Sequence, residues 1–203
     1  MGLISNGTTL FDAGTMSVGG SMVFIKKLTA SSSGTLTFHH GTSSVILDST
    51  FKEYLFTFNN IHPSAVAKLS FQANTVGASG FNETITSTSF AAYHTEDNSA
   101  TTLEYDGGQD QAQGTGFQPM CVTGGINTGN DSSGSGSLHL FNPSSTTFVK
   151  HFISRFGFVG GGDYQTDAYV AGYFNTTAAI DEIQFKLNTG NIDAGDICLY
   201  GIS

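Results

Sequence analysis

The stretch Ile180-Asp-Glu-Ile-Gln-Phe-Lys-Leu187, followed by Asn188-Thr-Gly-Asn-Ile-Asp-Ala-Gly195 and Asp196-Ile-Cys-Leu-Tyr-Gly-Ile202, decides the fold class. In its first part Ile183, Phe185 and Leu187 alternate with Glu182, Gln184 and Lys186, the period of two that a half-buried strand requires. The Gly/Asn/Asp cluster that follows reads as a turn, and 196–202 reads as a second short apolar strand. In that strand Ile197 and Leu199 share one face, and Cys198 and Tyr200 the other. The chain is therefore expected to end inside its sheet and to close a β-sandwich.

Composition agrees with an all-β chain. Of 203 residues only 11% are charged, Trp is absent, Pro numbers 3, Gly 26 and Phe 17. Ser and Thr supply roughly a quarter, so hydroxyls and amides rather than charges must solvate the surface. β-branched and aromatic residues outweigh good helix formers. The length suits one domain. A formal charge of -9 and a pI near 4.8 disfavour binding to a phosphate backbone, and Lys26-Lys27 is too small a cluster to offset this. With neither a signal-peptide pattern nor an apolar run near 20 residues, the expectation is a chain made in the cytoplasm without membrane insertion. Cys121 and Cys198 are read as free thiols.

Residues 1–20 are Gly-, Ser- and Thr-rich with isolated apolar residues, which predicts an extended N-terminal arm preceding a single sandwich domain over 21–203. Its strands are expected at 22–28, 35–38, 44–47, 54–58, 68–72, 84–93, 137–141, 146–158, 168–174, 180–187 and 196–202, separated by turn chemistry such as Ser31-Ser-Ser-Gly34 and Gly77-Ala-Ser-Gly80. About eleven strands fit two packed antiparallel sheets, a jelly-roll-like sandwich. Between 94 and 136 the pattern gives way to one long polar loop, the kind of segment that carries function or contacts. Leu103, Tyr105, Phe117, Met120 and Val122 predict that it folds back on the body.

No residue set meets the requirements of a catalytic or metal site. His39-His40 would point to opposite faces of a strand. Asp106 with Asp110, Asp163 with Asp167, and Asp193 with Asp196 could supply calcium ligands, but none forms a dense Asp-x-Asp-x-Asp-Gly run, so no cofactor is expected and a structural calcium is the remote case. A nucleophile elbow is missing, and Phe156-Gly-Phe-Val-Gly-Gly-Gly-Asp163 reads as a hairpin rather than a phosphate cradle. The acids Glu96, Asp97, Glu104, Asp106 and Asp110 are read as solvated; a carbohydrate-active enzyme built on Glu104 or Asp110 is a remote alternative. Tyr93, Tyr105, Phe117 and Tyr164, in or beside loops, are expected to anchor rather than to stack on sugars.

Several segments together resemble a family: Phe24-Ile-Lys-Lys-Leu-Thr-Ala30, Phe58-Asn-Asn-Ile-His-Pro63, Leu140-Phe-Asn-Pro-Ser-Ser145, Phe148-Val-Lys-His151, Val170-Ala-Gly-Tyr-Phe-Asn175 and Gly190 to Ile202. They resemble the jelly-roll virion structural proteins of tailed, particularly marine, bacteriophages, over nearly the whole length from about residue 20. The resemblance implies a non-enzymatic particle component on a tail, tail fibre or capsid surface. It also implies a homotrimer or other homo-oligomer that contacts further virion proteins. Two expectations follow. In one, the chain is a tail or tail-fibre module whose Tyr105, Asp106, Gln109, Asp110 and Phe117 face a partner subunit or a host-surface glycan. In the other it is a capsid decoration protein whose arm, through Leu3, Ile4, Leu10 and Phe11, lies across neighbouring subunits.

Overall fold

The computed structural model describes residues 21–122 and 124–203, and the backbone of 3–5, 8–12 and 15–16. Three short strands lie in the N-terminal region: β1 Leu3–Ser5, β2 Thr8–Asp12 and β3 Thr15–Met16. The body holds β4 Met22–Thr29, β5 Leu36–His39, β6 Glu53–Pro63, β7 Leu69–Thr75, β8 Ile85–Thr95, β9 Thr101–Tyr105, β10 Ala112–Gly114 and β11 Gln118–Pro119. It continues with β12 Gly134–Phe141, β13 Lys150–Gly160, β14 Tyr164–Phe174, β15 Ile180–Leu187 and β16 Ile192–Ile202.

The fold is all-β and every strand pair is antiparallel. A nine-stranded sheet runs β10-β8-β14-β13-β12-β6-β16-β4, with β9 also paired to β8; a four-stranded sheet runs β11-β7-β15-β5. β15 lies inside the smaller sheet and β16 inside the larger, so the decisive stretch supplies an internal strand to each. The sheets meet across an aromatic layer centred on Phe185, whose ring lies 5.3 Å from Phe56, 5.2 Å from Phe58, 6.2 Å from Phe38 and 6.5 Å from Phe71. Phe71 in turn meets Phe152 at 5.0 Å and Phe174 at 6.1 Å. These rings are buried and mostly edge to face, the arrangement their quadrupoles favour. The two sheets form one sandwich.

Four expectations change. Segment 44–47 is not a strand: Ser43 and Ser44 take left-handed φ of 51° and 67°. The Leu47 amide donates to His40 Nδ1, while Val45 and Leu47 still bury their side chains. The cluster before 196 is partly strand, since β16 begins at Ile192 and follows β6 through two bulges, one opposite Pro63 and His62 and one between His62 and Asn59, where Asn60 takes a left-handed φ of 51°. Segment 94–136 is not one loop, because β9 and β10 continue the larger sheet along the free edge of β8 and β11 extends the smaller sheet. The backbone of β1, β2 and β3 forms its own antiparallel sheet rather than one extended run. The side chains of Leu3, Ile4, Leu10 and Phe11 lie outside the described residues.

Candidate interaction surface

The outward positions of the smaller sheet are covered by the chain itself. On β7, Leu69, Phe71 and Ala73 face the core while Ser70, Gln72 and Asn74 face out, yet these three polar residues are also buried. Gln72 Nε2 donates to the carbonyls of Glu83 (3.0 Å) and Gly116 (2.9 Å), and the Phe81 amide donates to Asn74 Oδ1 (2.8 Å). Glu83 accepts from the amide and hydroxyl of Thr75. Phe81 packs on Phe117, over whose ring Lys186 Nζ sits at 3.9 Å. A second buried amide, Gln118, lies opposite Phe71 and so on the inner side of the sheet, where it donates to the carbonyl of Gln109 (2.8 Å) and accepts from the hydroxyl of Ser87 on β8 (2.7 Å). Buried amides of this kind must find partners, and here the partners are backbone groups of the covering segments.

Among the described residues, by contrast, no segment covers the outer face of the larger sheet. Register places Met22, Ile202, Glu53, Phe141, His151, Tyr173 and Thr86 in one row across the strands. The next row carries Phe24, Tyr200, Leu55, His139, Ile153, Ala171 and Thr88. A third carries Lys27, Cys198, Thr57, Ser137, Arg155, Tyr169, Phe90 and Tyr105. Six of the nine exposed large hydrophobic residues among those described lie on this face: Met22, Phe24, Phe90, Leu103, Tyr105 and Ile153. Such a concentration on one face departs from the usual scatter of single exposed apolar residues.

Two ion pairs and a histidine–carboxylate hydrogen bond lie on this face. Arg155 is bidentate to Asp167, with 2.8 Å from Nη2 to Oδ2, and Tyr169 donates to the same carboxylate at 3.0 Å. Hydrogen bonds from Arg155 hold the Asp167 carboxyl below the ordinary carboxylate range. Lys27 pairs with Asp196 at 3.3 Å, and His139 Nδ1 with Glu53. Thr29 donates to Asp196, which is the main reason that carboxyl is also held low. The Arg155 guanidinium lies 5.3 Å from the centre of the Tyr169 ring, which stacks on Phe90 at 4.9 Å and 2°. This ladder separates two grooves. One, of about 410 Å³, is lined by His151, Ile153, Tyr173, Thr86 and Thr88 over Gly172. The other, of about 420 Å³, is lined by Ser135, Ser137, Gly157 and Gln165 beside the ion pair.

Tyr105, Asp106, Gln109 and Asp110 are gathered at the β9 end of the same face. Tyr105 donates its hydroxyl to Asp110, a bond that raises the phenol's pKa. Asp106 closes the turn through its carboxylate to the Gly108 amide, and the Gln109 carbonyl accepts from Gln118. Phe117 does not join them; its partners are Phe81 and Lys186 on the smaller sheet. Glu104, one residue before Tyr105, points to the opposite face of β9 and lines a cleft with Tyr93 and Tyr164. In each suggested calcium pair one carboxylate is engaged otherwise: Asp110 by Tyr105, Asp167 by Arg155, Asp196 by Lys27 and Thr29. His39 pairs with Glu182 at 2.7 Å while His40 accepts from Leu47, so the two rings serve different neighbours.

One residue has no sequence signal at all. Lys150, fully buried, donates its ammonium to the carbonyls of Phe148 and Thr176, each at 3.1 Å. Burial lowers its pKa, and the nearby Glu83 charge partly counters this. Cys121 is likewise buried, its thiol pushed up to about 12 by desolvation. Comparison with protein-family models, curated proteins and solved structures finds no match.

Proposed function

We propose that this chain is a non-enzymatic structural module of a bacteriophage particle, carried on the exterior of a tail or tail fibre, where it contributes to assembly or host-surface attachment. The observation that carries the reading is the bare outer face of the nine-stranded sheet. A sandwich that covers its smaller sheet through the buried amides of Gln72 and Asn74, and leaves the larger one lined with Phe24, Ile153, Phe90 and Tyr105, is arranged to be covered by another molecule. The hydroxyl-rich, low-charge composition supports repeated contacts, since Ser and Thr lose less rotamer freedom on burial than Lys and Glu. The resemblance described above supplies the particle context. Tyr105, Asp106, Gln109 and Asp110, at the rim of this face, are the residues proposed to reach a neighbouring subunit or a surface glycan.

An antibody against the purified chain, applied to gradient-purified particles and viewed by electron microscopy, tests the reading. Label on the tail or its fibres is the expected outcome, and label on the capsid would favour the decoration reading. Particles free of the chain would refute both. Tyr105→Ala and Asp110→Ala together should reduce adsorption to host cells without blocking particle assembly, if the rim serves attachment.

A further inference from the structure

We infer that the outer face of the nine-stranded sheet is the contact between two copies of this chain related by a twofold axis. The inference rests on that face being a contact surface and names its occupant.

Charge is the first argument. The chain carries -9, so two copies repel wherever unpaired carboxylates confront each other. On this face Lys27 and Arg155 are each paired in place with Asp196 and Asp167. Most of the negative charge therefore lies on other surfaces. A strongly acidic partner would find both cations of this face already engaged, whereas a second copy brings a face whose central charges are paired in the same way.

Shape and area agree. From β4 to β8 the face spans seven strands, roughly 30 Å, and the rows extend a similar distance along them, giving roughly 800–900 Å² by strand spacing and rise. That is about the area each partner contributes to a stable interface of standard size. Two twisted sheet faces pack with their strands roughly aligned, and a surface opposed to its own copy is self-complementary under a twofold. The Arg155, Tyr169 and Phe90 ladder is a ridge flanked by the groove over Gly172, so the ridge of each copy can seat in the groove of the other. Ile153 lies at the centre of the contact, 52% exposed in the single chain, and Phe24, 57% exposed, lies at its rim.

The test is the mass of the full chain in solution, by light scattering after size exclusion and by sedimentation equilibrium. Twice 21.3 kDa is expected. Ile153→Glu, which places an unpaired carboxylate at the centre of the contact, should weaken the dimer about 100-fold or more. Phe24→Glu should weaken it less, and both variants should keep the thermal midpoint of the isolated chain because both sites are exposed there. Val76→Glu, at a residue 66% exposed and outside this face, should leave the dimer unchanged. The inference is overturned if the chain is monomeric at concentrations on the order of 100 μM, where a standard-size contact is saturated. It is equally overturned by a trimeric mass, by an Ile153→Glu chain that remains dimeric, or by dimerisation lost on deleting residues 1–20 but kept in Ile153→Glu.

The two readings fail separately. A monomeric chain whose Ile153→Glu variant no longer enters particles would sink the self-contact and keep the particle reading. A dimer behaving as described, in a chain missing from particles, would do the reverse.

Discussion

Replacing Phe185 with Ala tests whether the two sheets form one sandwich. The ring has no exposed surface and lies within 6.5 Å of Phe38, Phe56, Phe58 and Phe71, which come from β5, β6 and β7 in both sheets. Removing a buried phenyl ring costs about 3–5 kcal/mol in transfer and cavity terms. The four neighbours are themselves held by other rings and cannot all collapse into the space, so the upper half of that range is expected. Domains of this size lose about 2–4 °C of melting temperature per kcal/mol, so the midpoint should fall by roughly 8–20 °C. Equilibrium urea unfolding followed by circular dichroism reads the change, with Phe148→Ala, at a residue 69% exposed, as the comparison. That control should move stability by less than about 0.5 kcal/mol. A Phe185→Ala loss below about 1.5 kcal/mol, or one no larger than the control's, would refute the packing of β15 against β6. Two separate unfolding transitions would refute the single cooperative sandwich.

Gln72→Leu should remove the side-chain donor of the Glu83 carbonyl and leave the Gly116 carbonyl with Gln111 alone, at about 1–3 kcal/mol in all, and amide hydrogen exchange across 111–118 should accelerate more than in β15. Unchanged exchange there would mean that the amide does not hold the covering segment. Gly195 has φ of +113°, and a Cβ on it would lie 2.6 Å from the Asn60 carbonyl oxygen. Gly195→Ala should therefore cost about 2–4 kcal/mol from strain and close contact combined, read as a lower urea midpoint at unchanged slope, whereas a neutral effect would contradict the paired bulges. Lys150 gives a pH signature. Its folded pKa lies below the unfolded value near 10.4, so between the two the unfolded chain holds more protons and stability rises with pH. The difference in stability between the native chain and Lys150→Met should change upward through that alkaline window and be flat near neutrality; a difference flat throughout would refute the perturbed lysine. Taking the difference matters, because the raised tyrosines Tyr54 and Tyr164 act in the opposite sense.

Strands with a buried and a solvated side were legible because alternation reports burial directly. β15 is found at its expected bounds, with Ile183, Phe185 and Leu187 inward, and β16 keeps Ile197 and Leu199 on the inner face. Alternation misled at Val45 and Leu47, which bury their side chains from a turn set by left-handed serines, a choice of φ that composition does not announce. It was silent for β9, β10 and β11, which follow sheet edges without a buried apolar side of their own, and the segment between β10 and β11 is held by Gln72, 44 positions from the Gly116 carbonyl it meets. Tyr105 with Asp110 could be read from closeness along the chain. The departure of Phe117 to Lys186 could not, since 69 positions separate them.

The outward positions of the two sheets explain which face the chain covers with itself. On β7 they are Ser70, Gln72 and Asn74, whose donors and acceptors can hold a passing backbone, and 81–83 and 115–117 lie across them through such bonds. On β13 and β8 they include Ile153, Thr88 and Phe90, which offer a passing loop almost nothing to bond to, and a loop there would bury its own amides unpaired. The cations of that face, Lys27 and Arg155, are already paired with Asp196 and Asp167 and offer such a loop no further bonds. The same alternation that fixes the core therefore also sorts the outer faces into one closed by the chain and one that the described residues leave open.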